Sequence, residues 1–203
     1  MQIRPLAVPG AFEVTPVPWA DDRGVFLELY RHERLAEAVG HSLDLRQANM
    51  SVSARGVVRG IHYADVPPSQ AKYVTAAHGA VIDYVVDLRV GSPTFGRWDS
   101  VLLDTVDRRA IYLAEGLGHA FVALEDLSTV VYMVSEVYNP SGEHGVTPLD
   151  PEIALDLPFA ADELRLSPKD LEAPSLADAA ARGLLPSWEA SLALYRELDG
   201  ATA

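Results

Sequence analysis

The segment Arg59-Gly60-Ile61-His62-Tyr63 sets an arginine and a histidine in an otherwise apolar, β-prone run, and Lys72, Asp83, His119 and Tyr132 follow in further runs of the same kind. Strands facing one cavity would bring together a base, a cation and a phenol that are far apart in sequence. That mixture suits removal of a proton beside a carbonyl. Imidazole, with an ordinary pKa of ~6.5, is largely neutral near physiological pH and accepts a proton from carbon when a carboxylate stabilises the imidazolium. Asp83 and Asp170 are the candidates for that carboxylate. A lysine aimed at the ketone oxygen stabilises the enolate that forms as the α-proton leaves. A phenol of ordinary pKa ~10 can return a proton. Epimerisation takes the proton from one face and gives it back to the other, which a base and an acid of different type on opposing walls can do. Taken singly, His62 in an apolar strand and Tyr132 inside TVVYMV read more often as core residues, and it is their combination with Lys72 and the carboxylates that carries the chemical reading.

The spacing around these residues says what must position them. Side chains two apart on a strand share a face, so Gln47, Asn49, Ser51 and Ser53 form a polar, uncharged row, with Ala48, Met50 and Val52 on the reverse. Such a row is either a solvated face or the lining of a cavity for a ligand rich in hydroxyl and carbonyl groups. Strict alternation would send Arg59 and His62 to opposite faces. A shared cavity therefore requires a local irregularity, and Gly60 is the place for it.

From about residue 43 to residue 138 the chain reads as short runs rich in Val, Ile, Tyr and Leu, separated by Gly, Pro and Asp signals. Connections such as His78-Gly79, Gly91-Ser92-Pro93 and Glu115-Gly116 are too short for crossover helices, which predicts mostly antiparallel neighbours. The expected architecture is one all-β domain, a jelly-roll barrel with short helices at its margins. These helices are predicted around 31–39, in LADAAARG, and in SWEASLALYREL with Ser187 as its N-cap, so that a helical segment covers about 175–198. The Pro- and Asp-rich stretch from Pro148 to Pro168 is expected to wrap the barrel as irregular chain.

Composition removes several functions. The 203 residues carry 16 Lys+Arg against 29 Asp+Glu, a formal charge of −13 that repels nucleic acid and acidic membrane surfaces. With no cysteine, disulfides, thiolate nucleophiles and thiolate metal sites are excluded. No stretch has the length and apolarity of a signal peptide or membrane span, and a cytoplasmic protein is expected. Cupin-type metal sites need a clustered His-x-His, whereas this chain reads Ile61-His62-Tyr63-Ala64, so a metal is not expected. There is no Gly-rich phosphate loop, nucleophile elbow or dinucleotide fingerprint.

Taken in order, Asp22-Arg23-Gly24 with Phe26 and Glu28, Gln47-x-Asn49-x-Ser51, Arg59-Gly60-Ile61-His62-Tyr63, Gln70-Ala71-Lys72, Asp83 through Asp87-Leu88-Arg89, Ser92-Pro93-Thr94, Gly118-His119, Tyr132, Tyr138-Asn139-Pro140 and Ser167 to Pro174 resemble the dTDP-4-dehydrorhamnose 3,5-epimerase family. The resemblance implies a cupin-like jelly roll that works as a homodimer, without cofactor, on a dTDP-linked 4-keto-6-deoxyhexose. By position it makes His62 the base held by Asp170, Tyr132 the acid, and Lys72 the stabiliser of the C4 enolate. It makes Arg59 and Arg23 the diphosphate contacts, with Arg23, Phe26 and Glu28 supplied by an exchanged N-terminal strand of the partner. Phe26 and Tyr138 would sandwich thymine, Gln47 and Glu28 would meet its polar edge, and Asn49, Ser51 and His119 would line the sugar pocket.

Two features depart from the family pattern: Ala120 follows the pocket histidine where Gly is common, and Pro148-Leu149-Asp150 stands where a tryptophan commonly precedes the late aspartate. A methyl group beside His119 is expected to slow exchange at C3 relative to C5, which leaves open whether C3, C5 or both are inverted and keeps a single-site epimerase of an antibiotic deoxysugar pathway as the runner-up. Readings of other classes are a metal-dependent cupin enzyme and a non-catalytic sugar-binding module. The module gives no reason for His62, Asp170, Tyr132 and Lys72 to occur together.

Overall fold

The computed structural model describes residues 1–201. Two antiparallel sheets face one another. The first runs β1 (Gln2–Pro5), β2 (Ala11–Thr15), β10 (Ala110–Leu113), β7 (Lys72–His78), β12 (Ser128–Val134) and β5 (Gln47–Ser53). The second runs β13 (Glu143–Gly145), β6 (Val58–Ala64), β11 (Gly118–Ala123), β8 (Ala80–Val86) and β9 (Trp98–Asp104). A separate hairpin joins β3 (Trp19–Asp21) to β4 (Gly24–Phe26). From β5 to β8 the chain crosses between the sheets at every connection, as in a jelly roll, and the two sheets form a sandwich and do not close into one continuous barrel. The strands extend beyond the expected 43–138 on both sides, because β1, β2 and β13 complete the sheets. Those strands have only three to five residues, and Pro5 and Pro9 interrupt the first pair, so alternation had little length in which to show.

β8 shows why several strands read as unbroken apolar runs. Val81 and Val85 turn inward to the core between the sheets, while Tyr84 and Val86 turn outward to a second core. That outer core is closed by Ile153, Leu155, Leu157, Phe159, Leu164 and Leu166 from the Pro-rich stretch, which wraps the second sheet as expected. The helices are α1 (His32–Val39), α2 (Pro168–Leu171), α3 (Leu176–Ala181) and α4 (Trp188–Ala201). Ser187 caps α4 by accepting from Ala190 N at 3.1 Å. The four-residue α2 was not foreseen, yet its cap is legible: Ser167 accepts from Asp170 N at 3.1 Å and Pro168 occupies the first helical position. No helix among the described residues is long and apolar enough to cross a membrane.

The Asp87-Leu88-Arg89 motif is architectural. Arg89 is fully buried and grips Asp87 with two bonds of 2.8 Å, while Ser92 and Thr94 each donate to the same carboxylate at 2.6 Å. Burial opposes ionisation of Asp87, but these hydrogen bonds outweigh it and hold its pKa below the ordinary value. The arginine also bonds Pro9 O and Tyr195 and lies 4.5 Å over the Trp188 ring. One buried cation thus ties the N-terminal turn and α4 to the end of β8. Removing one partner of such a pair generally costs about 3–5 kcal/mol.

Candidate active site

A cavity of about 440 Å³ opens between the sheets. The second sheet supplies His62 from β6 and His119 from β11, and the first supplies Lys72 from β7, Tyr132 from β12, and Gln47, Asn49 and Ser51 from β5. The polar row on β5 is therefore a cavity lining, with Met50 and Val52 exposed on the reverse. Its fourth member, Ser53, is buried and accepts from Arg59 Nε at 3.2 Å, so it orients that arginine toward the cavity.

Arg59 and His62 reach the same cavity because β6 is irregular where alternation demanded it. His62 pairs with His119, yet Arg59 pairs with Phe121, so three steps along β6 match two along β11. Only glycine fits the kink: Gly60 has φ +120, and a Cβ there would lie 2.4 Å from His119 O and 2.6 Å from Ala120 Cβ. The same contact relocates Ala120. Its neighbours His119 and Phe121 line the cavity, while Ala120 packs in the outer core with Val58, Ile61 and Val122. The methyl does not crowd the pocket, because adjacent strand residues face opposite ways.

Two histidine–carboxylate pairs flank the cavity. His62 Nε2 lies 2.7 Å from Asp170 Oδ1, and Ser167 donates to the other oxygen at 2.8 Å. Burial works against ionisation of Asp170, but the bonds from His62 and Ser167 keep its pKa below the ordinary carboxylate value. Asp83 serves the other histidine: its Oδ2 lies 2.8 Å from His119 Nε2. Of the two carboxylates the sequence left open for His62, geometry selects Asp170. With Nε2 turned to the Asp170 carboxylate, Nδ1 of His62 has no hydrogen-bond partner among the described residues and is the ring nitrogen left to meet a substrate.

The facing wall has the complementary groups. Lys72 is buried and has no ion-pair partner within 4.0 Å among the described residues; burial lowers its pKa, and the charges of Glu143 and Asp83 work against that. Tyr132 is half-buried, and desolvation, assisted by the Glu143 charge, raises its pKa, so the phenol is protonated at neutral pH. Ser51 Oγ and Asp83 Oδ1 are buried polar atoms without a hydrogen-bond partner among the described residues. Tyr138 stands half-exposed at the mouth, its backbone N–H donated to Gln47 Oε1 at 3.1 Å.

Three expected residues lie apart from this chain's cavity. Arg23 and Phe26 sit on the exposed hairpin, where Arg23 pairs with Asp21, and Glu28 pairs with Arg31 at 3.5 Å. Three cavity residues went unforeseen: Gln70, Phe121 and Glu143. The first two were within reach of alternation, since Gln70 precedes Lys72 by two and Phe121 follows His119 by two. Beyond His62 the surface continues into a groove lined by Arg59, Arg165 and Lys169, a local concentration of positive charge in an acidic protein.

The family described as dTDP-4-dehydrorhamnose 3,5-epimerase matches residues 5–178. The chain belongs to this family. A dTDP-4-dehydrorhamnose 3-epimerase of Streptomyces niveus is 57% identical over 188 residues, covering 93% of this chain and 90% of the relative. A dTDP-4-dehydrorhamnose 3,5-epimerase of Mycolicibacterium smegmatis is also 57% identical, over 93% of this chain and 92% of its own. The solved structure of an rmlC epimerase from Mycobacterium tuberculosis superposes with a TM-score of 0.95 at 53% identity, covering 98% of this chain and 100% of that one. The protein is accordingly an isomerase of the deoxysugar epimerase type.

Proposed function

We propose that the enzyme inverts a dTDP-4-keto-6-deoxyhexose beside its ketone, and that it works in the cytoplasm. The observation that carries this reading is the division of groups between two walls: a carboxylate-held histidine on one sheet, an unpaired lysine and a protonated phenol on the other. His62 Nδ1 takes the α-proton, and the C–H pair becomes the C=C bond of an enolate as the carbonyl π pair moves to oxygen. The Lys72 ammonium meets that oxygen. Tyr132 then gives its proton to the opposite face, the carbonyl re-forms, and solvent resets the imidazolium and phenolate. Arg59, with Arg165 and Lys169 in the adjoining groove, fits a diphosphate, and guanidinium donors suit its oxygens.

Inversion at C3 is the activity common to both relatives' names, and Ala120 facing the outer core removes the reason to expect slow chemistry there. Proton NMR of the dTDP-4-keto-6-deoxyglucose reaction in deuterated water is expected to show exchange and inversion at C3, with C5 followed in the same sample. No exchange at either carbon would defeat the assignment.

The hairpin residues enter through assembly. Arg23, Phe26 and Glu28 lie outside their own chain's cavity, and in our reading they complete the pocket of a second copy in a homodimer, with Phe26 and Tyr138 on either side of thymine. Mixing Arg23→Ala with His62→Asn protein is then expected to restore about a quarter of the wild-type activity, because half of the randomly formed dimers hold one intact site. No recovery after demonstrated subunit exchange would place both residues in the same pocket.

A further inference from the structure

Tyr138 stands on a stretch of chain with little backbone support. β12 ends at Val134, and Ser135 N still reaches Ala71 O at 3.1 Å. Among the described residues, no backbone group of Glu136, Val137 or Tyr138 bonds to another backbone group. Side chains take over. Val137 N bonds its neighbour's carboxylate, a purely local contact at 2.8 Å. The two bonds that tie this stretch to the rest of the fold come from glutamines: Gln70 Nε2 donates to Glu136 O at 2.8 Å, and Gln47 Oε1 accepts from Tyr138 N at 3.1 Å. Gln47 is rooted in β5, and Gln70 directly precedes Ala71 and Lys72 at the start of β7. Gln70, Lys72 and Tyr138 line the same cavity.

We propose that Gln70 is a positioning residue for nucleotide binding, which fixes the Glu136 carbonyl and so holds Tyr138 where its ring covers the base. The proposal rests on Tyr138 being a base-stacking residue. An aromatic ring on an untethered backbone must be ordered when ligand arrives, and that loss of entropy weakens binding; a tethered segment is ordered beforehand. One N–H of the Gln70 amide goes to Glu136 O, and the side chain makes no hydrogen bond to His62, Lys72 or Tyr132 among the described residues, so its loss is expected to act on binding and not on proton transfer. The side chain must also donate: glutamate has the same shape but, when ionised, sets an oxygen against the carbonyl, and methionine fills the space without a donor.

Gln70→Met and Gln70→Glu are expected to raise KM for the dTDP-sugar and Kd for dTDP by about tenfold, with kcat within about threefold of wild type, since only ground-state positioning is lost. Calorimetric dTDP titrations of Gln70→Met, Tyr138→Ala and the double variant separate this from general damage. If Gln70 acts through Tyr138, the double variant binds no more weakly than Tyr138→Ala alone. Unchanged Kd in both Gln70 variants, losses that multiply in the double variant, or a fall in kcat at constant KM would each overturn the proposal. Wild-type protein that fails to bind dTDP would overturn the nucleotide reading itself, whereas normal wild-type binding with unaffected Gln70 variants would remove only the role of Gln70.

Discussion

His62→Asn protein is expected to lose both inversion and exchange of the substrate's α-hydrogen with solvent deuterium, by about 10² to 10⁴-fold, the range typical of general acid–base groups. Asparagine keeps polarity but has no lone pair basic enough to take a proton from carbon. The geometry makes the loss specific. Asp170 is buried and ionised, its pKa depressed by His62 and Ser167 despite the burial, so the histidine faces a carboxylate that stabilises the imidazolium formed when it takes a proton. A carboxyl of depressed pKa contributes this support above its ordinary pKa and loses it only as pH falls through the lowered value. The carboxylate is therefore charged throughout the neutral range. Deuterium NMR on matched enzyme concentrations reads the exchange directly. A loss of only a few-fold would move the base elsewhere, and His119, held by Asp83 on the same sheet, would be the residue to replace next.

The sequence carried most of what positions this site, and its failures have identifiable causes. β5 to β12 were readable because period-2 alternation or continuous apolar character persists over four to seven residues in each. Gly60 was legible as the irregularity because two residues that had to share a cavity were an odd number of steps apart. Asp170 was not legible from pattern. It lies 108 residues from His62, on a helix of one turn, and family resemblance singled it out where spacing left Asp83 equally open. Glu143 reaches the cavity from a three-residue edge strand that no periodicity announces. Ala120 was assigned to the pocket through its adjacency to His119, although the same alternation that grouped Gln47, Asn49 and Ser51 turns it to the outer core. Arg89 and Asp87, quoted as part of a motif, serve the architecture, and only their complete burial separates that role from a binding one.

Tyr132→Phe is expected to separate the two proton transfers. The substitution keeps the ring that fills the first sheet's side of the cavity and deletes only the hydroxyl, so His62, Asp170 and Lys72 remain in place and the α-hydrogen still leaves. The lost group carries its proton at neutral pH: desolvation raises the phenol's pKa, Glu143 adds to the shift, and Arg59 opposes it without cancelling it. Without that donor, the enolate regains a proton mainly from the side of the imidazolium, whose own proton has meanwhile exchanged with solvent. The result is substrate that acquires deuterium while retaining its configuration, with inverted product reduced by about 10²-fold or more. NMR for configuration and mass spectrometry for label, on the same reaction, distinguish this from a general loss of activity, which would suppress label and inversion together. Inversion at the wild-type rate would mean that water, and not the phenol on the facing sheet, closes the reaction.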